Sequence, residues 1–93
     1  MFALRFIGYI NIPEDGMYTL TNKSTRSFDF VSFHEAVVQS RGNNEERKVF
    51  PLKKGFHPIQ IDHFVGEGPS NYDLQIEGVN LTKQSVTADM LFH

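Results

Sequence analysis

Four histidines are the side chains best suited to bind a metal ion in this sequence, which contains no cysteine. His57 and His63 lie six residues apart on one predicted strand, which corresponds to roughly 20 Å at about 3.3 Å per residue. They therefore cannot share an ion. We expect His57 to be a structural hydrogen-bonding residue, whereas the sequence leaves the roles of His34 and His93 undetermined. The sequence predicts no metal site and no cofactor.

Paired carboxylates, the groups used for general acid and base catalysis, occur at Glu14 with Asp15 and at Glu45 with Glu46. Adjacent residues on a turn or loop point apart, whereas acid and base must converge on one pocket in different environments. We therefore expect turn and solubility roles for both pairs. The predicted strands also carry Asp62 and Glu77, which would converge only in a register that the sequence does not reveal.

The serines and glycines show no catalytic or phosphate-binding context. Ser24, Ser27 and Ser32 lack the strand-turn-helix setting of a nucleophile elbow. The glycines at positions 66 and 68 precede a predicted strand, whereas a phosphate-binding loop precedes a helix. No catalytic constellation emerges, so we predict that the chain is not an enzyme.

Sugar recognition is a binding chemistry for which the sequence offers candidate residues. It combines an aromatic face with polar groups that contact the hydroxyls. Two predicted loops supply such groups, with candidate ligand-binding residues Asn22, Lys23, Ser24, Arg26, Asn71 and Tyr72. Lys23 and Arg26 would suit an acidic or sulfated glycan. The alternative is that both loops are simply solvated and that Tyr72 packs at the start of a strand.

Length and composition define the class of protein. Ninety-three residues make one domain, spanning residues 1–93, with a modest core to which nine Phe and three Tyr contribute most. The net charge of −2 gives no basic footprint for nucleic acid. No apolar run approaches the length of a membrane span, and no leader peptide is recognisable. We therefore expect an excised or C-terminal module of a longer protein.

The elements that would position these residues are almost all strands. Residues 6–20 predict a β-hairpin around Pro13 to Gly16, in which proline presets φ and Gly16 supplies a positive φ. Further strands are predicted at residues 28–33, 36–39, 48–52, 56–65 and 72–78, with exposed loops at 22–27, 40–47 and 66–71 and one helical turn within 85–93. We predict an all-β, antiparallel sandwich or jelly roll of about seven to nine strands. Pro51 and Pro58 should lie at strand starts, edges or bulges.

The first strand has apolar residues on both faces. One face carries the alternating residues that we assign to the core: Phe2, Leu4, Phe6, Gly8, Ile10 and Ile12. Ile7 and Tyr9 lie on the other face. We expect neighbouring loops or a missing partner to cover that second face, and an oligomer formed through the N-terminal strand would do so.

Four segments, in the right order, resemble a known family. The wording of residues 8–19, Gly-Tyr-Ile-Asn-Ile-Pro-Glu-Asp-Gly-Met-Tyr-Thr, is similar to the opening hairpin of the protective-antigen-type (PA-fourteen) domain. Residues 52–64 resemble its Leu-x-x-Gly-x-His-Pro-Ile strand, residues 66–68 its glycine-rich connection, and residues 91–93 the ending of bacterial members.

The resemblance implies a non-catalytic, carbohydrate-binding or accessory module of an exported bacterial carbohydrate-active enzyme. The parent would be a glycosidase, such as a β-hexosaminidase, or a sulfatase, and the module would lie in the periplasm or outside the cell. Its partners would be a glycan and the parent catalytic domain. The alternative is a purely structural interdomain or oligomerisation module with no ligand.

Two departures from the family pattern limit these implications. Residues 22–26 replace the acidic pair that helps family members bind calcium with neutral and basic residues. We therefore expect no calcium-dependent site. The chain also begins near the central hairpin of the family and lacks its N-terminal strands, which is a second reason to expect a partner on the first strand.

Overall fold

A computed structural model of the chain describes residues 2–65, 71–87 and 90–92. Within them the fold is all-β, with strands β1 (Phe2–Ile12), β2 (Gly16–Phe33), β3 (Ala36–Leu52), β4 (Gly55–Val65), β5 (Asn71–Gly78), β6 (Leu81–Ser85) and β7 (Leu91–Phe92). Every strand pairing is antiparallel. The predicted all-β antiparallel class is confirmed.

The seven strands form one sheet that curls around a shared core. The strand order is β6-β5-β2-β4-β1-β7, and β3 pairs with the other edge of β2. The buried cluster draws on most of these strands: Ile10, Ile12, Tyr18, Leu20, Val31, Phe33, Val38, Phe50, Leu52, Ile59, Leu74 and Ile76. One continuous curled sheet therefore surrounds the core, in place of the two separate sheets of a sandwich.

The β2–β3 hairpin contains the longest strand pairing of this sheet. It is paired from Gly16 and Leu52 at its open end to Phe33 and Ala36 at its closed end. A two-residue turn closes it, and His34 in this turn adopts a φ of 55°. The other edge of β2 pairs first with β5, along residues 18–25, and then with β4, along residues 27–33.

A β-bulge marks the point where β2 changes neighbours. Thr25 pairs with Asn43 and Ser27 pairs with Gly42, which leaves Arg26 as the extra residue with a φ of 57°. An extra residue in a strand reverses which side chains face inward. Before the bulge the even-numbered residues of β2 are buried, and after it the odd-numbered residues are buried.

The predicted hairpin between the first two strands is wrong. No β1–β2 pairing occurs among the described residues; β1 pairs with β4 and β7 instead. Residues 13–15 therefore cross from one part of the sheet to another, and the Asp15 carboxylate accepts a hydrogen bond from the Lys54 backbone N–H at 2.7 Å. Turn chemistry indicates where the chain bends but does not select the partner of the strand that follows.

Gly16 also differs from the prediction, because it is not among the described residues with positive φ. Its constraint is space: a Cβ atom built there would lie 3.2 Å from Cβ of Val79 and closer still to one of its methyl groups. A Gly16→Val substitution should therefore still destabilise the fold, through overpacking against Val79.

The predicted loops at residues 22–27 and 40–47 are strands. Both segments are paired along the long hairpin. Residues 43–47 are polar because they are exposed on its surface. Ser40, by contrast, is buried. Polarity alone predicted exposure here, but backbone pairing determines whether an exposed segment is a loop or a strand.

The first strand supports part of the predicted core face. Ile10 and Ile12 are fully buried, whereas Leu4 on the same face is 59% exposed. On the opposite face, Ile7 is 62% exposed and Tyr9 is 44% exposed. The described chain therefore leaves much of both side chains open to solvent.

The prolines lie where a missing N–H is tolerated. Pro51 is on β3, which pairs only with β2 among the described strands. Pro58 pairs with Tyr9 of β1 and lies before the stretch of β4 that pairs with β2. Both positions agree with the predicted confinement of proline to edges and strand starts.

At the C-terminal end, the Met90 N–H donates to the Thr87 carbonyl at 3.0 Å and closes a single turn. Residues 88, 89 and 93 of the predicted helical turn, and residues 66–70 of the predicted glycine-rich loop, lie outside the described residues. In the described part of the chain no helix is long and apolar enough to cross a membrane.

Candidate functional site

A buried polar cluster holds the bulge in place. Asp29 has no exposed surface; its carboxylate accepts hydrogen bonds from the hydroxyls of Ser24 and of Ser27, the latter at 2.6 Å, and contacts Nδ1 of His63. Ser24 precedes the bulge and Ser27 follows it, so one carboxylate ties the two halves of β2 together. Burying a carboxylate is tolerated only when it is paired and hydrogen-bonded in this way.

Asn22 extends this cluster towards the β2–β3 hairpin. Its amide donates to the carbonyls of Asp29 at 3.1 Å and Val38 at 3.0 Å. Its own Oδ1 is buried without a hydrogen-bond partner. The Asn22 side chain thus links the backbone of β2 after the bulge to the backbone of β3, and these bonds hold the two strands in place.

Aspartate, histidine and serine are also the residues of a hydrolytic triad, but they are arranged differently here. In a triad the imidazole holds the nucleophilic hydroxyl and the carboxylate orients the imidazole. In this cluster the two serine hydroxyls donate to the carboxylate of Asp29. The geometry anchors strands and does not follow the order of groups that activates a serine.

The structure brings the two predicted ligand-binding segments together as neighbouring strands. Ser24 pairs with Tyr72, and Thr25 pairs with Asn71, across the β2–β5 ladder. The side chains of Asn71 and Tyr72 lie outside the described part of the structure. The two segments are adjacent, as a shared binding surface requires.

The predicted ligand residues on β2 lie on opposite faces of that strand. Asn22 and Ser24 are buried, with 0% and 3% exposure, and they point into the polar cluster. Lys23 and Arg26 are exposed. Strand alternation separates residues that a loop would have presented together, so Lys23 and Arg26 are the members of this group that an external ligand could reach.

The bulge creates an aromatic cleft on the outer face, immediately after Arg26. The cleft has a volume of about 510 Å³ and is lined by Arg26, Ser27, Phe28, Phe30, Arg41, Gly42, Phe64 and Val65. Because the bulge reverses the alternation, Phe28 and Phe30 face outward while Asp29 faces the core. Across the ladders Phe28 lies opposite Arg41 on β3 and Phe64 on β4. We call this the aromatic–arginine cleft.

The rings of the cleft pack against one another in a defined arrangement. Phe28 and Phe30 stack with centroids 4.6 Å apart, and Phe64 meets Phe30 edge to face at 5.9 Å. The Arg41 guanidinium lies 5.3 Å from the centroid of Phe28, within cation–π range. The two cleft arginines bring positive charge, and no carboxylate side chain is among the described lining residues.

Sequence reasoning identified Arg26 but missed Phe28, Phe30, Phe64 and Arg41. The Phe-x-Phe spacing shows that the first two share a face, but it does not show which face. Without the bulge, the alternation of the first half of β2 would place both rings inside. The bulge forms at Arg26, a non-glycine residue with positive φ, and no residue type in the sequence marks such a position.

The centre of the same outer face carries an ion pair. Nε of Arg5 donates to Oδ1 of Asp62 at 2.6 Å, and the Gln60 amide donates to Oδ2 at 2.9 Å. Burial raises the pKa of Asp62, but the hydrogen bonds from Arg5 and Gln60 and the charge of Arg5 outweigh it, so the pKa lies below its usual value. Asp62 and Glu77 lie on strands that do not pair with each other.

The far end of this face is an exposed apolar patch formed by Ile7, Tyr9, Phe56 and Phe92. Phe56 is 60% exposed, and its ring meets that of Phe92 edge to face at 5.2 Å. The patch extends the exposed face of β1 that the sequence predicted.

Glu14, Asp15 and His57 make the hydrogen bonds expected of structural residues. Asp15 binds the Lys54 N–H, and the Glu14 carboxylate accepts a hydrogen bond from the Asn80 amide at 2.8 Å. His57 makes hydrogen-bonding contacts with the Lys53 carbonyl and with His34, as predicted for a structural residue. In the described part of the chain, no group of three or more histidine, aspartate or glutamate side chains could hold a metal ion.

Comparison with known proteins gives a fold relationship. No protein-family model matches the chain, and a search of curated proteins finds no significant match. Among solved structures, the fold is similar to part of DesR, a β-glucosidase from Streptomyces venezuelae in complex with D-glucose, with a TM-score of 0.68 and 23% identity. The similarity covers 80% of this chain and 10% of the β-glucosidase chain. The chain thus spans about a tenth of the length of that protein.

Proposed function

We propose that this chain is a non-catalytic accessory module of an exported bacterial carbohydrate-active enzyme and that it binds glycan. The observation that carries the proposal is the similarity of fold to one tenth of a β-glucosidase chain. A domain of this fold thus occurs within a glycosidase chain. A role beside a catalytic domain accounts for that relationship, and a glycosidase or sulfatase would be the parent.

The family resemblance in residues 8–19 and 52–64 supports the same proposal. We propose that the chain is a shortened protective-antigen-type domain. The supporting observation is an all-β antiparallel fold, which is the class expected for that family. The β1–β2 pairing expected from the first of these segments does not occur among the described residues. The support therefore comes from the sequence motifs and the fold class.

The aromatic–arginine cleft is the surface best suited to a sugar. The apolar face of a sugar ring stacks on an aromatic ring, and its polar groups need donors or acceptors at the rim. Phe28, Phe30 and Phe64 offer the rings, while Arg26 and Arg41 offer forked donors that match a carboxylate or sulfate. An acidic sugar, such as a uronate or a sulfated residue, fits this combination.

A structural module without a ligand is the second candidate. It is favoured by the exposed apolar patch at Ile7, Tyr9, Phe56 and Phe92. Contiguous exposed apolar surface commonly marks a protein contact. The parent catalytic domain or a second copy of the chain would then cover the patch, and the cleft would have no occupant.

A glycan array tests the first proposal against the second. The purified chain is applied to neutral, N-acetylated, uronate-containing and sulfated panels, in calcium and in chelator. We expect weak binding to the acidic panels that is unchanged by chelator and falls with salt, because exposed charge pairs are screened.

Binding to acidic panels that Phe28→Ala and Arg41→Ala abolish would support the cleft. Absence of signal on every panel would favour the structural module. Turnover of aryl-glycosides or aryl-sulfates that survives repurification and is lost in one point variant would contradict the non-catalytic role.

A further inference from the structure

The closed end of the β2–β3 hairpin places two imidazoles side by side. Nε2 of His34, in the turn, lies 3.1 Å from Nδ1 of His57, near the start of β4. The ring centroids are 5.1 Å apart. The two residues are separated by 23 positions in sequence, so only the fold brings these rings together.

Hydrogen bonding defines which nitrogen of His57 faces His34. Nε2 of His57 lies 2.6 Å from the Lys53 carbonyl oxygen. A carbonyl oxygen only accepts, so this nitrogen carries the proton, and Nδ1 of the neutral ring presents a lone pair towards His34. Metal-binding histidines typically have this outer hydrogen bond, because it fixes the tautomer and the orientation of the ring.

The spacing of the two nitrogens suits a shared ion. Two imidazole nitrogens bound to one Zn²⁺ at about 2.0–2.1 Å with a tetrahedral angle lie about 3.3 Å apart. The observed 3.1 Å requires an adjustment of a few tenths of an ångström. Such an adjustment is available because His34 is exposed on the surface turn.

Packing beneath the pair preorganises both rings. The fully buried Phe33 contacts the His34 ring edge to face at 4.6 Å and lies 6.1 Å from the His57 ring. Phe33 is itself held edge to face against Phe50 at 5.0 Å. The pair therefore rests on the rigid core, which lowers the entropic cost of binding an ion.

We propose that Nε2 of His34 and Nδ1 of His57 form a two-histidine site for a borderline transition-metal ion such as Zn²⁺. Binding would displace the proton shared between the two rings, leaving His34 protonated on Nδ1. Because no third acidic or histidine ligand joins them among the described residues, water would complete the coordination. The site is independent of the glycan proposal, since it lies outside the lining of the aromatic–arginine cleft.

Calorimetric titration of the full chain with ZnCl₂ at neutral pH tests the site. We expect one saturable event in the micromolar range. His34→Asn and His57→Gln should each weaken it at least ~10-fold. Asparagine is chosen at position 34 because it tolerates the positive φ of that turn. His63→Gln, six residues from His57 along β4, is the matched control, and it should leave the affinity unchanged.

Imidazole ¹⁵N shifts give a second readout that does not depend on folding differences between variants. Added Zn²⁺ should move the resonances of Nε2 of His34 and Nδ1 of His57 together and leave Nε2 of His57 protonated. No saturable binding below millimolar Zn²⁺, retention of binding in both site variants, or loss of binding in His63→Gln would overturn the proposal.

Discussion

The two halves of β2 differ in what they present to solvent, although one strand and one partner, β3, run through both. Just before the bulge, the outer face is polar and charged: Lys23 lies opposite Glu45 on β3 and Asp73 on β5. After the bulge, the outer face carries Phe28 and Phe30. One extra residue, Arg26, separates a solvated surface from an aromatic one.

The interior of β2 is polar on both sides of the bulge and apolar towards both ends. The inward residues next to the bulge are Asn22, Ser24, Ser27 and Asp29, and those towards the ends are Tyr18, Leu20, Val31 and Phe33. The polar cluster thus lies directly beneath the aromatic–arginine cleft. An uninterrupted alternation would have buried the rings and exposed the carboxylate, so the bulge is what places Phe28 and Phe30 on the outer face and Asp29 in the interior.

Deleting Arg26 should have the largest effect, because it removes the residue that reverses the alternation. One half of β2 would then have to turn its apolar side chains to solvent. We expect the chain to lose cooperative unfolding and its dispersed NMR spectrum.

Arg26→Gly is the matched control for that deletion. It keeps the extra residue and suits the φ of 57°, so its stability should equal or slightly exceed that of the parent. A deletion variant that folds and melts like the parent would show that the bulge does not set the facing of the strand.

Asp29→Ala should produce the next largest loss, about 3–5 kcal/mol in the free energy of unfolding. The substitution removes the shared acceptor of Ser24, Ser27 and His63 in the second half of β2. Asp73→Ala, on β5 opposite Lys23 of the first half, loses only the hydrogen bond from Gln75 and should change stability by about 1 kcal/mol or less. Equal effects in urea denaturation would contradict the division of the strand into two environments.

Gly78→Ala should cost about 1–3 kcal/mol by overpacking the first half. A Cβ atom there would lie 2.7 Å from Cε2 and 2.8 Å from Cγ of Tyr18, which is fully buried and cannot move aside. Gly42→Ala at the bulge meets no atom within 4 Å and is opposed only by its φ of +72°, so we expect a cost of about 1–2 kcal/mol. The melting temperatures of both variants test this order. A larger loss for Gly42→Ala than for Gly78→Ala would show that backbone conformation, not packing, sets the cost of adding a Cβ atom.

Arg5→Gln should have the smallest effect, less than about 1 kcal/mol, because the Arg5 side chain is 60% exposed. The lowered pKa of Asp62 means that its ion pair stabilises the fold above the unfolded-state pKa, about 3.9, and that this contribution disappears as the pH falls through the folded-state pKa. The melting difference between parent and variant should therefore be present at neutral pH and vanish in acid. A difference that persists in strong acid would assign the effect to packing of the arginine stem.

Local chemistry in the sequence predicted the all-β class, the bend around residues 13–15 and the structural role of His57. It did not predict long-range pairing. The Pro-Glu-Asp-Gly segment specifies a bend whatever strand follows, so β1 was assigned to β2 when its partners are β4 and β7. Polar runs such as residues 43–47 were assigned to loops because exposure was equated with irregular structure.

Of the residues that line the cleft, only Arg26 was among the predicted ligand-binding residues, because the positions of the others depend on the register of three strands. Phe28, Phe64 and Arg41 are far apart in sequence and meet only through the β2–β3 and β2–β4 ladders. A bulge at a non-glycine residue leaves no distinctive residue type at its position. The alternation of Phe28 and Phe30 is therefore equally consistent with core positions and with an exposed aromatic surface.

Glycan affinity measured separately for each half of β2 tests the central claim most directly. Calorimetry with an acidic oligosaccharide selected on the array should show that Phe28→Ala and Arg41→Ala each weaken binding at least ~10-fold, equivalent to about 1.4 kcal/mol. Lys23→Ala, on the outer face of the first half, should leave the affinity within about twofold of the parent, because surface charges at a distance are screened. Affinity lost in Lys23→Ala but retained in both cleft variants would contradict the account.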